Sequence, residues 1–188
     1  MNIKSINIHQ DLIDACKTND SKAQLKIYKL YYKAMYNTSL RITNDATTAE
    51  DVMQEAFLDA FIKIDTHTGI ASFGSWLKKI VINKSINEVR KYKETISLDE
   101  KIIDFSEPDD DHFAILSEKV ESIKNSIFEL PEDCRIILSL YLLEGYDHEE
   151  ISTILNISYN ATRTRYSRAK SKLLEIIKET QLNRISQN

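Results

Sequence analysis

Apolar residues recur along this chain at intervals of three and four, in runs longer than a strand needs and too often interrupted to cross a membrane. That period predicts helices over about 9–18, 21–43, 48–65, 73–92, 114–129, 132–143, 147–155 and 159–178. Several starts are signposted. Thr47-Thr-Ala-Glu50 has the form of a capping box, with a hydroxyl for an orphan N–H and a glutamate that can reach back. Asp147-His-Glu-Glu150 is its aspartate variant, a weaker match. Pro131 suits a first helical turn, where a residue without an N–H costs nothing. The chain has only 3 Gly and 2 Pro, too few turn residues for a sheet-rich domain. The fold class these patterns imply is all-α, with no internal repeat.

Charge divides the helices into two groups. From Lys78 to Lys93 six cations face one acid, Glu88; from Arg163 to Lys172 there are five cations and no acid. Between the basic blocks, Glu94 to His112 holds eight acids against Lys101 alone and contains Pro108. This acidic stretch lacks helical periodicity and reads as a linker. Its plain role is a solvated tether; a sharper one is competition for the basic surfaces when nucleic acid is absent. The organisation expected is a helical domain over 1–93, an acidic linker over 94–112, a second helical domain over 113–180 and a polar tail over 181–188. The net charge of −4 conceals all of this.

The remaining chemistry is sparse. Cys16 and Cys134 lie far apart and suggest small apolar packing rather than a disulfide. His9, His67, His112 and His148 have no metal-ligand spacing, and no nucleophile–base pair or glycine-rich loop appears. No cofactor, metal or enzymatic activity is expected. The N-terminus has no signal-peptide pattern, so the expected location is cytoplasmic, without membrane insertion. Asn156-Ile-Ser and Asn160-Ala-Thr match the glycosylation acceptor pattern by chance on that reading.

Three helix faces call for an explanation. On the helix near Asp51–Ile64, Met53, Phe57, Ala60, Phe61 and Ile64 form the core side. Opposite them stand Asp51, Glu55, Leu58 and Ile62, with Asp59 at the edge. Such a face is either plain solvated surface or a dock for a basic partner helix anchored by Leu58 and Ile62. A carboxylate metal or acid–base site ranks last. On the helix from Phe73, two apolar stripes, Leu77/Ile80/Val81 and Ile82/Ile86/Val89, flank a polar line of Trp76, Asn83, Asn87 and Arg90, with Lys79 beside it. Ring, amides and cations together suit single-stranded nucleic acid. Burial in the core is the other reading of Trp76, and the one its residue type favours.

The third face belongs to a helix-turn-helix pattern: helix Asp147–Leu155, turn Asn156-Ile-Ser158, second helix from Tyr159. Thr162, Tyr166, Ala169, Leu173 and Ile176 share one side of the second helix. Asn160, Thr164, Ser167, Arg168 and Ser171 share the other. Arg163 and Lys170 run along one flank, Arg165 and Lys172 along the opposite one. Short polar residues and one Arg toward base edges, with cations astride them, suit a major groove. The plain alternative is an amphipathic helix whose basic C-terminal half favours its dipole.

FGSWLKKIVINKSINEVRK, together with EGYDHEEISTILNIS followed by RTRYSRA, resembles the bacterial sigma-70 family of RNA polymerase sigma factors, and most closely its small extracytoplasmic-function (ECF) group. The likeness covers about 10–178, in the family's order. It implies a region 2-like domain over 1–93 and a region 4-like domain over 113–180. Partners implied are core RNA polymerase, through the clamp helices of its large subunit and the flap of its second-largest subunit, promoter DNA, and an anti-sigma factor. By position, Asp51, Glu55, Leu58, Asp59 and Ile62 would dock on polymerase. Trp76, Lys79, Asn83, Asn87 and Arg90 would meet the melted −10 strand. Tyr159, Asn160, Arg163, Thr164, Ser167, Arg168 and Ser171 would meet the −35 duplex. Asn87 stands where the family often has Asp, Asn156 where it has Gly, and Asn160-Ala-Thr162 where Gly-Thr-Val is common. A rival reading is a stand-alone helix-turn-helix regulator with an N-terminal sensing domain.

Overall fold

The computed structural model describes residues 8–95 and 116–186. The acidic linker expected over 94–112 lies almost wholly outside these residues. Those described are helical, without a strand, and divide into two compact units, one on each side of residues 96–115.

The first unit holds α1 (Gln10–Lys17), α2 (Ser21–Thr43), α3 (Ala46–Ile62), a single 3₁₀ turn (Ile64–Thr66) and α4 (Phe73–Thr95). α2 packs against α1, α3 and α4, and α3 against α4. Ile13, Ile27, Met35, Phe57, Phe73, Leu77 and Val81 fill the centre and are almost fully buried. Two close approaches fix α2 on α4. The Ser39 and Ser85 hydroxyls meet at 2.9 Å in the interior. Gly74 lies so near Tyr31 that an added Cβ would stand 3.0 Å from the ring. Cys16 is buried among these residues; burial first, and then the charge of Asp20, raises its thiol and leaves it unreactive.

α3 starts earlier than its sequence suggested, and Thr47 does not cap it. Asp45 does, accepting from the Thr48 N–H at 2.7 Å. Its carboxylate sits on extended backbone one residue ahead of the helix, whereas Thr47 is already helical. The weaker match is the complete one: the Asp147 carboxylate accepts from Glu149 and Glu150, and the Glu150 carboxylate accepts from the Asp147 N–H.

The second unit holds α5 (Leu116–Phe128), α6 (Glu132–Leu138), a π-helical turn (Ser139–Leu143), α7 (His148–Leu155) and α8 (Tyr159–Ser186). Pro131 is the residue just before α6 rather than its first helical one. The helix expected over 132–143 changes hydrogen-bond register at Ser139, with the Glu144 N–H reaching the Ser139 carbonyl at 3.0 Å. α5, α6 and α7 all rest on α8, around Ile127, Ile137, Leu138, Leu140, Ile151 and Ala169. α8 continues to Ser186, through most of the expected tail.

Candidate nucleic-acid interface

The outer side of α3 is as exposed as its periodicity implied. Asp51 and Glu55 face solvent, Leu58 is 63% exposed and Ile62 79%. Two of the carboxylates, Glu55 and Asp59, are however already partnered from another helix. Lys84 of α4 lies 3.1 Å from Glu55 and 3.3 Å from Asp59, and Lys63 lies 3.4 Å from Asp59. Desolvation pushes the Asp59 carboxyl up, but its hydrogen bonds to Lys84 and Lys63 prevail and hold it below the usual range. Desolvation likewise opposes the Lys84 charge, and the bonds to Glu55 and Asp59 overcome it, raising the ammonium. The like charges of Glu55 and Asp59, one helical turn apart, are therefore offset by a lysine 29 positions beyond Glu55 in sequence, which no periodicity along α3 reveals.

On α4 the structure brings the polar line together. Lys79, Asn83, Asn87 and Arg90 are exposed on one side, while the flanking stripes turn inward, Leu77, Val81, Ile82 and Ile86 fully so. Trp76 lies only partly in the core. It is half-buried at the rim of the core, 5.5 Å from Phe73 and 5.4 Å from His67 between ring centres. The preceding loop is closed by the His67 ring, whose Nε2 lies 3.0 Å from the Ala71 carbonyl. Gly69 adopts φ 76° there, and Ile70 is left 88% exposed.

The helix-turn-helix is built from local rules. Asn156 adopts the left-handed conformation, φ 52°, as the family's usual glycine would. The Ile157 N–H reaches the Ser152 carbonyl at 3.0 Å and the Asn156 N–H the Thr153 carbonyl at 3.3 Å, the paired bonds of a Schellman ending. Ser158 then caps α8, accepting from the Ala161 N–H at 3.2 Å. Thr162, Ala169 and Leu173 are buried and Tyr166 half-buried, so the opposite face is held outward.

On that outer face Asn160, Arg163, Thr164, Ser167 and Arg168 line one open hollow. Tyr159 and Ser171 are exposed at its ends. The Thr164 hydroxyl donates to the Asn160 carbonyl and the Ser171 hydroxyl to the Ser167 carbonyl. With their protons turned back into the helix, these hydroxyls offer lone pairs outward and suit donors such as exocyclic amines. The Arg163 guanidinium lies 5.9 Å over the Tyr159 ring, and Arg165 stands 4.0 Å from Asp133 of α6.

Sequence reasoning missed what supports this helix. Tyr141 stacks on His148 at 4.8 Å and meets Tyr166 at 4.5 Å; His148 meets Tyr166 at 5.0 Å and Tyr159 at 6.4 Å. The cluster carries the π-helical turn and the start of α7 onto the first two turns of α8. Its signal was available in part, since Tyr159 and Tyr166 are seven residues apart on one helix.

The sigma-70 region 2 model matches residues 27–95 and the sigma-70 region 4 model matches residues 121–173, well over half of the chain. The chain belongs to the sigma-70 family. Its relatives place it in the ECF group. It is 30% identical to the ECF RNA polymerase sigma factor SigM of Bacillus subtilis, over 79% of this chain and 91% of that one. To SigW of the same organism it is 28% identical, over 89% and 95%. The sigma factor RpoE of Bartonella quintana, solved with the anti-sigma factor NepR, matches at TM-score 0.59 and 19% identity, over 81% of this chain and 95% of that one. CnrH, solved with the cytosolic domain of CnrY, matches at 0.54 and 18%, over 91% and 97%. At such identity these two speak for the fold. As a sigma factor the chain is a transcription-initiation protein of RNA polymerase. Among the described residues no helix is long and apolar enough to cross a membrane, and no cluster of metal-ligating side chains occurs.

Proposed function

We propose that this sigma factor binds core RNA polymerase through α3, reads the −35 element as duplex with α8, and captures the melted −10 strand with α4. The observation that carries the reading is the outward face of α8, where Asn160, Arg163, Thr164, Ser167 and Arg168 converge on one hollow with no acid among them. In this division of labour 1–93 acts as the region 2 domain and 113–180 as the region 4 domain, joined by 94–112. The clamp helices of the large subunit meet Asp51, Glu55, Leu58, Asp59 and Ile62. The flap of the second-largest subunit meets the second domain. An anti-sigma factor restrains the protein, as suits a chain one of whose solved neighbours, RpoE, was captured with such a partner. It acts in the cytoplasm and makes or breaks no covalent bond itself.

Lys79 and Arg90 supply charge for the −10 strand, Asn83 and Asn87 supply amides for unstacked bases, and Trp76 offers the exposed part of its ring. Stacking and hydrogen bonds there offset the cost of unpairing. The test is selection of DNA from a fragmented genome by core polymerase with and without the full chain. The expected result is enrichment of fragments that share a two-part sequence near −35 and −10. Fragments no different from those held by core enzyme alone would overturn the proposal.

A further inference from the structure

Neither proposed DNA face includes the cations of α2. Lys22, Lys26, Lys29 and Lys33 are spaced i, i+4, i+7 and i+11, which sets all four within about 60° of arc on one helix. All four are exposed, and the line they form is about 16 Å long at about 1.5 Å per residue. No Asp or Glu occurs anywhere in Ser21–Thr43. Among the described residues Lys22, Lys26 and Lys29 make no ion pair.

Like charges at i, i+4 weaken a helix, and nothing on α2 offsets them. Elsewhere in this unit several lysines sit beside acids, as Lys17 does with Asp14, Lys63 with Asp59 and Lys91 with Glu88. The whole chain carries more acids than bases, 29 against 25, so a plain solubilising surface does not call for a row of lysines. Lysine, unlike arginine, acts as a point charge on a flexible stem, which suits phosphates rather than the forked reading of a base. A row this long with no acid matches a polyanion of regular charge.

We propose that the α2 lysine line holds the phosphate backbone of promoter DNA, as a sequence-independent contact outside the −10 and −35 faces. It rests on the function proposed above. The test uses the full chain assembled with core polymerase, as wild type, as a variant carrying Lys22→Gln, Lys26→Gln, Lys29→Gln and Lys33→Gln, and as a variant with the same four lysines changed to Arg. Glutamine is a good helix former, and the change removes repulsion, so helicity and melting are expected to hold. Affinity for a labelled promoter fragment, as duplex and as separated single strand, is followed against salt.

The Gln variant is expected to flatten the slope of log K against log salt by about 2–4, at about 0.7–0.9 per phosphate contact, and the Arg variant to keep it. The duplex and single-strand arms tell which form of DNA the line holds. An unchanged slope on both probes would overturn the proposal. So would a Gln variant that loses core polymerase while keeping the slope, because the line would then face an acidic protein surface. If wild type itself fails to bind core polymerase, the proposed function fails; the same probes titrated with the full chain alone then judge the lysine line by the same slope.

Discussion

At Arg168 the difference between reading a base and holding a phosphate is measurable. If Arg168 meets a base edge, Arg168→Ala removes about 1–3 kcal/mol of discrimination at one position of the −35 element. Binding of the preferred duplex falls, while binding of a duplex already mismatched there hardly changes. Equal loss on every sequence, measured by competition titration of holoenzyme, would make Arg168 a phosphate contact. Lys84 offers a second test at this scale. Asp59 titrates below its ordinary 3.8 and Lys84 above its ordinary 10.5. The Asp59 contribution to stability is therefore present above 3.8 and fades as pH falls through its lowered folded value; that of Lys84 is present below 10.5 and fades as pH rises through its raised one. The groups are partly exposed, so the bridge is worth about 0.5–1 kcal/mol. Lys84→Met is expected to lower the melting point of the first unit by a few degrees at neutral pH, with the gap narrowing toward strong acid. Trp76, the chain's single tryptophan, reports this unit by fluorescence. A constant gap across pH would remove the bridge from the account. The outward placing of Arg168 was legible from periodicity alone; the partnering of Lys84 was not, because sequence spacing says nothing about which helix lies alongside.

Helices separate what repeats every few residues from what depends on neighbours. The inward sides of α3, α4 and α8 were legible, since Met53, Phe57, Leu77, Val81, Ala169 and Leu173 follow the helical period and are buried. The turn at Asn156 was legible as well, because asparagine tolerates φ above zero. The cap of α3 was misread: a hydroxyl–glutamate pair and a nearby aspartate compete, and the carboxylate wins from outside the helix. The π-helical turn at Ser139–Leu143 left no periodic trace. For docking, the ion pairs alter the choice of variant. Glu55→Arg would set a cation against Lys84 and disturb α3 against α4, whereas Asp51 and Leu58 are exposed and outside that bridge. Asp51→Arg with Leu58→Ala is expected to weaken the complex with core polymerase at least tenfold, equivalent to about 1.4 kcal/mol, with the melting point held. Unchanged retention on immobilised core enzyme would remove α3 as the docking helix.

Across the whole molecule, an acidic net charge coexists with three basic helices. The acidic excess between 94 and 112 and the cations of α4 and α8 were legible as blocks; the α2 lysines were not, because they are spread over half a helix and become a line only when it is wound. Two units with separate cores, each matched by its own sigma-70 region, explain why a helix-turn-helix regulator with a sensing domain is the poorer description: region 2 occupies the place that sensor would take. The central claim is that both units work together on one promoter with polymerase. Run-off transcription from a template selected by the holoenzyme, with purified core enzyme and with or without this chain, tests it most directly. The account predicts a transcript of one defined length only when the chain is present, lost when either the −10 or the −35 element is scrambled. A transcript pattern identical with and without the chain would contradict it.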